Sequence, residues 1–193
     1  ELNLGHLVHA ADNYRGSFRG LGVELRTDAY GAVRAGAGLL VSSYALKHGA
    51  AKRDSVGDNA AGIALAKDAV KLAAAFSAAA ATHQTVGLAA HSGAAKPNSS
   101  VLDDKAAPLQ ALLTAMSGTT PSDSGDLPHP TAPIIAIAAQ AGFGASAGQD
   151  LQLSNGETVS LMSGQDTQFL TGGQMRIHTG QAIGILGGSV KQG

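Results

Sequence analysis

A serine between two glycines is the part of this chain that most resembles a catalytic motif. The segment Gly144–Gly148 (GASAG) matches the G-x-S-x-G pattern of serine hydrolases, in which a strand-to-helix turn presents the serine to a histidine base. Asp150 and His178 follow in the hydrolase order of serine, acid and histidine. The motif needs a helix directly after the serine, whereas here an alternating β pattern continues through Asp150. We therefore predict no catalytic residue and rank an esterase last among the functions considered.

Histidines are the second group of residues that could take part in chemistry, as metal ligands. His6 and His9 could ligate a metal, and His178 would meet two further copies of itself on a threefold axis, where three imidazoles suit zinc or iron. His178 falls at an outward or corner position of the C-terminal repeat, and His129 lies between two prolines. Solvated histidines are the favoured interpretation, so we predict no metal site and no cofactor.

Composition excludes several classes of protein. Hydrophobic residues make up 44% of the 193 residues but aromatic residues only 4%, which favours an elongated or repetitive architecture over a conventional core. A net charge of −1 gives no field to hold nucleic acid or anionic lipid. Cysteine is absent, which excludes disulfides and thiolate metal sites. We see no cleaved signal peptide and no apolar run that would span a membrane, and a start at Glu1 suggests a piece of something longer.

Three regions follow one another along the chain. Residues 1–44 predict strands and turns, with a half-buried alternation at residues 22–27. Residues 45–127 predict an Ala-rich helical insertion and linker, with one helix over residues 58–84, capped by Asp58, and a second over residues 105–116. Gly118 ends the second helix, and the proline-rich stretch from there to Pro133 predicts a linker.

Residues 128–193 form the third region, and they repeat every eight residues. Counted from its glycine, each octad has apolar residues at its fourth and sixth positions, except at Thr167, and we name each octad by its first residue. The phase extends back through octads 140 and 132, where Gln140 and Ala132 replace the glycine and Ile135 and Ile137 keep the apolar positions. The predicted corner glycines are Gly148, Gly156, Gly164, Gly172, Gly180 and Gly188. The predicted axial core is Leu151, Leu153, Val159, Leu161, Phe169, Met175, Ile177, Ile183 and Ile185.

The octad describes a short strand and a corner. Alternating apolar positions bury one face of a strand, and glycine at a fixed phase predicts a turn through positive φ. Such a strand, roughly 17–20 Å long, cannot bury two large side chains alone. One chain could coil as a solenoid of three octads per turn, or three chains could intertwine into a triangular β-prism. We favour the trimeric intertwined β-helix because it leaves fewer open edges, although the sequence alone leaves both possible.

Two separate motifs resemble a known family. Asn13–Gly20 (NYRGSFRG) and Glu24–Gly36 (ELRTDAYGAVRAG) near the start, and Leu161–Thr167 (LMSGQDT) and Met175–Gly180 (MRIHTG) near the end, resemble VgrG proteins, the valine–glycine repeat spikes of type VI secretion. The resemblance covers both ends of the chain, and the Ala-rich middle fits a variable insertion. It implies a homotrimer ending in an intertwined β-helix, with the end of the spike core at the start of this chain and no catalytic residues to carry over.

The resemblance also implies a mechanical role. We expect a structural component of a puncturing spike that pierces a target membrane, with a tip, effector or adaptor protein and secretion tube proteins as partners. We expect it in the bacterial cytoplasm before firing and then secreted or injected into a target cell. The alternative of a different class is a trimeric phage-type tail fibre or adhesin that binds a surface ligand.

Overall fold

The computed structural model describes residues 2–11, 14–46, 55–93, 102, 106–123 and 125–188. The chain divides into two compact units, residues 1–34 and 35–193, each of which is described here by itself. No helix among these described residues is long and apolar enough to cross a membrane.

The first unit is a long antiparallel hairpin. Strand β1 (Leu2–Ala11) pairs with β2 (Tyr14–Leu25), and the register shifts twice between Leu7 and Ala10. This confirms the strands expected in this region, but the half-buried alternation predicted at residues 22–27 is wrong for this hairpin, because Val23 and Leu25 are each 71% exposed and β2 ends at Leu25. On β2, the guanidinium of Arg19 donates a hydrogen bond of 2.7 Å to Glu24 Oε1. That hydrogen bond, aided by the positive charges of Arg19 and Arg26, lowers the pKa of Glu24 although partial desolvation opposes the shift.

The second unit contains the helices. Helix α1 (Ala60–Thr82) confirms the predicted Ala-rich helix, α2 (Ala89–Ser92) is a single turn, and α3 (Pro108–Met116) confirms the second predicted helix. The N-cap residue of α1 is Asn59, without a side-chain capping bond, so the predicted cap at Asp58 is wrong by one position. The Asp58 carboxylate instead accepts a hydrogen bond of 3.1 Å from the backbone N–H of Ala60, just before the helix. Pro108 stands in the first turn of α3, where its missing N–H costs nothing.

Small side chains form the core between these helices. The buried residues in α1–α3 are Ala73, Ser77, Ala80, Ala90, Ala111, Leu113 and Ala115, together with Gly62. Alanine at these positions lets the helix backbones approach closely, and the contact between α1 and α2 includes the two hydroxyls of Ser77 and Ser92, 3.5 Å apart. The helices thus have a core of their own, built from small residues.

The predicted linker after Gly118 contains more structure than expected. Strands β4 (Thr119–Thr120) and β5 (Leu127–Pro128) form a two-stranded antiparallel hairpin within it. The backbone of His129 donates to the Gly118 carbonyl (2.9 Å), and that of Thr131 donates to the Ala115 carbonyl (2.9 Å). We call α1–α3 together with this hairpin the helical region.

A parallel strand pair marks where the chain leaves for the helical region and where it returns. Strand β3 (Leu39–Ser42) pairs in parallel with β6 (Ile135–Ala138). The Ser43 backbone donates to the Ala138 carbonyl (3.0 Å), and the Ser43 hydroxyl accepts from the backbone of Gln140 (2.8 Å). The two strands adjoining the helical region are therefore held side by side. Among the described residues the strands are few and about as long in total as the helices, so this single chain does not by itself show the predicted mainly β fold.

Candidate functional site

The octads present an apolar surface that their own chain leaves uncovered. All nine predicted axial residues are more than half exposed: Leu151, Leu153, Val159, Leu161, Phe169, Met175, Ile177, Ile183 and Ile185, from 57% at Val159 to 89% at Ile185. Residues 139–188 are described throughout, and they form no strand or bridge within the chain. Each octad from 148 to 180 thus has two large apolar side chains, or one in octad 164, that are more than half exposed in the single chain.

The backbone bends once per octad. Bends fall at residues 148–149, 156–157, 164–165, 172–173 and 180–181, each at an octad glycine and the residue after it. The expected positive φ is wrong for Gly148, Gly164, Gly172 and Gly180, none of which lies in the left-handed region, whereas Gly188 has φ 64°. Sharing the change of direction between two residues removes the need for a left-handed conformation at the first.

Hydroxyl groups hold three of these corners. The residue before the glycine accepts, through its side-chain oxygen, a hydrogen bond from the backbone N–H two positions on. The pairs are Ser163 with Gln165 (3.2 Å), Thr171 with Gly173 (3.2 Å) and Thr179 with Gln181 (3.3 Å). These hydrogen bonds were not predicted, although serine or threonine recurs at the eighth position of octads 156, 164 and 172.

The octad phase also continues on the far side of the helical region. Gly36 is followed at the fourth and sixth positions by Leu39 and Val41, which is the spacing of the C-terminal octads. The β3–β6 register aligns Leu39 with Ile135 and Val41 with Ile137, so fourth position meets fourth and sixth meets sixth. Val41, Ile135 and Ile137 are 51–70% exposed, whereas Ala138 on the other face is buried. The helical region therefore interrupts the repeat without shifting its phase.

The hydrolase-like residues lie in this extended repeat. Ser146, Asp150 and His178 are all exposed, and residues 139–160, described without a gap, contain no helix that would complete a nucleophile elbow. The motif at Ser146 is thus part of the octad pattern and lacks the context that its chemistry requires.

The remaining histidines are spread over different elements. His6 and His9 belong to β1, whereas His129 follows β5 and lines an apolar cavity with Leu127 and Pro130. Among the described residues, no group of three or more potential metal ligands comes together.

The helical region touches the octad chain at two widely separated points. Near the start of α1, Gly62, Leu65 and Ala66 line one cavity together with β6. Just after α1, Thr85 and Val86 lie against Gly184, where an added Cβ would be 3.0 Å from Thr85 Oγ1 and 3.3 Å from Val86 Cβ. Glycine at position 184 is what allows this close approach.

Two family models match the chain. Residues 1–80 match the family described as a putative type VI secretion system Rhs element Vgr. Residues 122–191 match a family described as an uncharacterized protein conserved in bacteria (DUF2345). The first match covers the hairpin, β3 and most of α1, and the second covers β5, β6 and the octads.

Known relatives agree with these matches. The type VI secretion system spike protein VgrG2a of Pseudomonas aeruginosa is 33% identical over 196 residues, covering 99% of this chain and 21% of the relative. A solved VgrG spike from the type VI secretion system has a TM-score of 0.71 at 26% identity, over 96% of this chain and 58% of that one. A structure of the Tle1 effector bound to the VgrG spike gives 0.70 at 25% identity, over 96% and 47%.

These relatives are longer than the chain, which spans about a fifth of the curated spike protein and about half of each solved spike chain. The two family models match the two ends of the chain, where the motifs that carry the resemblance lie. The chain belongs to the VgrG family of type VI secretion spike proteins.

Proposed function

We propose that this chain is the stiff, non-enzymatic shaft of a homotrimeric spike, in which three copies intertwine into a triangular β-prism. The observation that carries this proposal is the apolar surface of the octads. Nine large side chains at the fourth and sixth positions are exposed in one chain, and residues 139–188 pair with no strand of that chain. Two further copies would cover those side chains on a common axis and pair those backbones at the same time.

Burial of the axial residues would stabilise such an assembly. Burying a large aliphatic or aromatic side chain contributes about 1.5–3 kcal/mol. The nine axial residues of each chain would therefore contribute more than ten kcal/mol of favourable free energy by that approximate scale. The corner glycines fit the same arrangement, because a Cβ on Gly148, Gly164, Gly172 or Gly180 would meet nothing of its own chain within 4 Å. Their lack of side chains is explained if strands of other copies pass close by.

The length of helix α1 favours three intertwined chains over a solenoid of one chain. Its contacts with β6 near Ala66 and with Gly184 through Thr85 belong to octads 132 and 180, which are six octads apart. At 1.5 Å per residue the helix separates these contacts by about 30 Å. With three octads per turn and α1 parallel to the axis, a one-chain solenoid would rise only about 10 Å over two turns. Six strand spacings, with strands of two other copies interleaved, give about 29 Å.

Delivery of effectors follows from this architecture. A closed prism without free sheet edges resists bending and unfolding, which suits a spike that is pushed through a target membrane. We infer that the spike is assembled in the bacterial cytoplasm on the secretion tube and then carries effectors into a target cell. The solved spike with a bound Tle1 effector supports this part, as a property of a similar protein. The relatives reported above are spikes, which leaves the fibre or adhesin alternative without a supporting observation.

The proposal is tested by placing a charge on the axis. Leu161→Asp would bring three carboxylates together in an apolar core, so we expect loss of the trimer and of effector secretion. Gln152→Asp adds the same charge at an outward fifth position and should leave both unchanged. Native mass by light scattering and secretion of effector into the medium are the two measurements. A Leu161→Asp protein that stays trimeric with unchanged melting would defeat the proposal.

A further inference from the structure

The contacts between the octad chain and its surroundings recur at a fixed interval. Octad 132 contacts α1 through β6, and octad 180 contacts the end of α1 through Gly184. Between residues 141 and 188, Thr158 in octad 156 is the residue that is half-buried, and its hydroxyl oxygen is buried. Met162 of the same octad and Leu186 of octad 180 are the large apolar residues least exposed in this stretch, at 37% and 39%. Octads 132, 156 and 180 are separated by 24 residues, or three octads, at each step.

This interval has a simple geometric meaning. A strand returns to the same face of a triangular prism after every third corner, so octads 132, 156 and 180 lie one above another on one face. At octads 156 and 180 these residues are at odd positions, as expected for the outer surface: Thr158 is third and Gly184 is fifth, while the axial residues are fourth and sixth. At octad 132 the cavity beside α1 is lined by Ile135–Ala138, which include both odd and even positions. Helix α1 would then run along the outside of that face for two full turns.

In a trimer the face under α1 is shared between copies. Because each copy supplies every third strand of a face, two strands of the partner copies lie between octads 132 and 156, and two more between octads 156 and 180. We propose that α1 is an external brace that is anchored at both ends on its own chain and crosses the strands of both partner copies between these anchors. This inference rests on the proposed trimer.

The surface of α1 fits such an occupant. Leu65 and Phe76 are 50% and 41% exposed in the single chain, and with Leu72 they follow one side of the helix at spacings of seven and four residues. Leu65 also lines the cavity beside β6, so this side faces the prism at its lower anchor. The side chains of Asp68 and Lys71 are 73% and 78% exposed and pair with each other at 3.2 Å. Asp68 flanks the apolar stripe, three residues after Leu65 and four before Leu72, and Lys71 lies farther round the helix. The two partner copies would cover the apolar side of α1, while Asp68 and Lys71 would stay in contact with water.

Cross-linking distinguishes the brace from other arrangements, because the chain has no cysteine and each introduced pair is unambiguous. In Val86→Cys with Gly184→Cys, the Cβ atoms would be 3.3 Å apart, close to the disulfide range of about 3.5–4.5 Å. In the full-length spike protein we expect this pair to close within one chain. On denaturing gels without reductant it would run as a single chain whose mobility changes on reduction.

Two matched pairs use the same fifth position of other octads. Arg176 belongs to octad 172. In the intertwined trimer, the strand next to octad 180 is octad 172 of a partner copy, because octad 172 of the same chain lies on another face. Val86→Cys with Arg176→Cys should therefore link different chains, through a disulfide or a short bismaleimide. Ser160 belongs to octad 156, which adjoins octad 180 only in a one-chain solenoid. Val86→Cys with Ser160→Cys should accordingly give no link.

The outcomes separate this inference from the proposed function. A native mass of one chain, together with an in-chain link between positions 86 and 160, would overturn both the trimer and the brace. A trimeric mass without the link between positions 86 and 184, or with the link between positions 86 and 176 inside one chain, would overturn the brace alone. In-chain closure at 184 with inter-chain closure at 176 would establish that α1 crosses its partners.

Discussion

The helical region and the octads use apolar residues in opposite ways. Ala73 and Ala80 of α1 are each 1% exposed and Leu113 of α3 is 8% exposed, so these helices cover their own core. In the octads, Phe169 is 65% exposed and Ile177 is 67% exposed, although both recur at the position that should be inward. Mostly small residues form a core within one chain, whereas the large residues of the octads have no such core in the single chain. If the proposed trimer is right, burial in a single chain separates the part of a spike that folds by itself from the part that folds by assembly.

The largest effect is expected inside the octad core. Phe169→Ala should remove three phenyl rings from one layer of the axis and cost about 3–5 kcal/mol for each chain. Its neighbour Leu170 is 86% exposed and lies at the outward seventh position, so Leu170→Ala is the matched control and should change little. Thermal unfolding of the assembled spike, followed by circular dichroism, measures both. Equal losses for the two variants would mean that the inward and outward sides have been assigned wrongly.

A smaller effect is expected in the helical core, and it should leave assembly intact. Ala80→Leu overfills a closely packed site and should destabilise the helices by about 1–3 kcal/mol. Ala78 is exposed on α1, so Ala78→Leu is the control for helix propensity and hydrophobicity. We expect Ala80→Leu to lower the melting temperature of the helical signal while light scattering still gives the trimeric mass. If Ala80→Leu dissociates the trimer as readily as a change on the axis, the two regions are not independent.

The octad corners offer a finer test. Ser163→Ala removes the hydroxyl that accepts from the backbone of Gln165, a hydrogen bond of 3.2 Å in an exposed corner. We expect a loss of about 0.5–1.5 kcal/mol for each chain. Ser163→Thr keeps the acceptor and should restore most of the stability, which chemical denaturation would measure. A loss that threonine fails to rescue would assign the effect to packing instead of the corner hydrogen bond.

The smallest effect concerns the hairpin of the first unit. Because its pKa in the folded chain is lowered, Glu24 contributes stability that is present above its unfolded pKa and is lost as the pH falls through the folded value. Acid should therefore open the pair with Arg19 at a pH below the ordinary range for glutamate, and Glu24→Gln should remove that step. The chemical shift of the Glu24 side-chain carboxyl carbon, measured by NMR as a function of pH, follows the protonation of Glu24. A midpoint at or above the ordinary value would contradict the lowered pKa.

Periodic features of the fold were predictable from the sequence. The octad spacing predicted the apolar and corner positions, and the Ala-rich stretch predicted α1 because alanine, which has the highest helix propensity, occupies about half of the positions between Ala60 and Thr82. Both are local patterns that repeat, so many residues carry the same information. The assignment of the nine axial residues to a shared core stays a prediction.

Features that depend on distant contacts were missed. The hairpin of β4 and β5 lies in a proline-rich stretch, and hydrogen bonds of the following residues to Gly118 and Ala115 help to fix it. The one-turn helix α2 is too short to have a period, and the in-phase pairing of Leu39 with Ile135 joins residues on either side of the helical region. The corner hydroxyls at Ser163 and Thr179 could have been found, since they recur with the glycines.

Light scattering from the purified chain, over a range of protein concentrations in dilute buffer, tests most directly whether the octad core is shared. We predict a particle of three times the chain mass that persists on dilution, since covering the large apolar residues requires the other copies. A folded particle with the mass of one chain would contradict the shared core, and with it the spike shaft derived from that core.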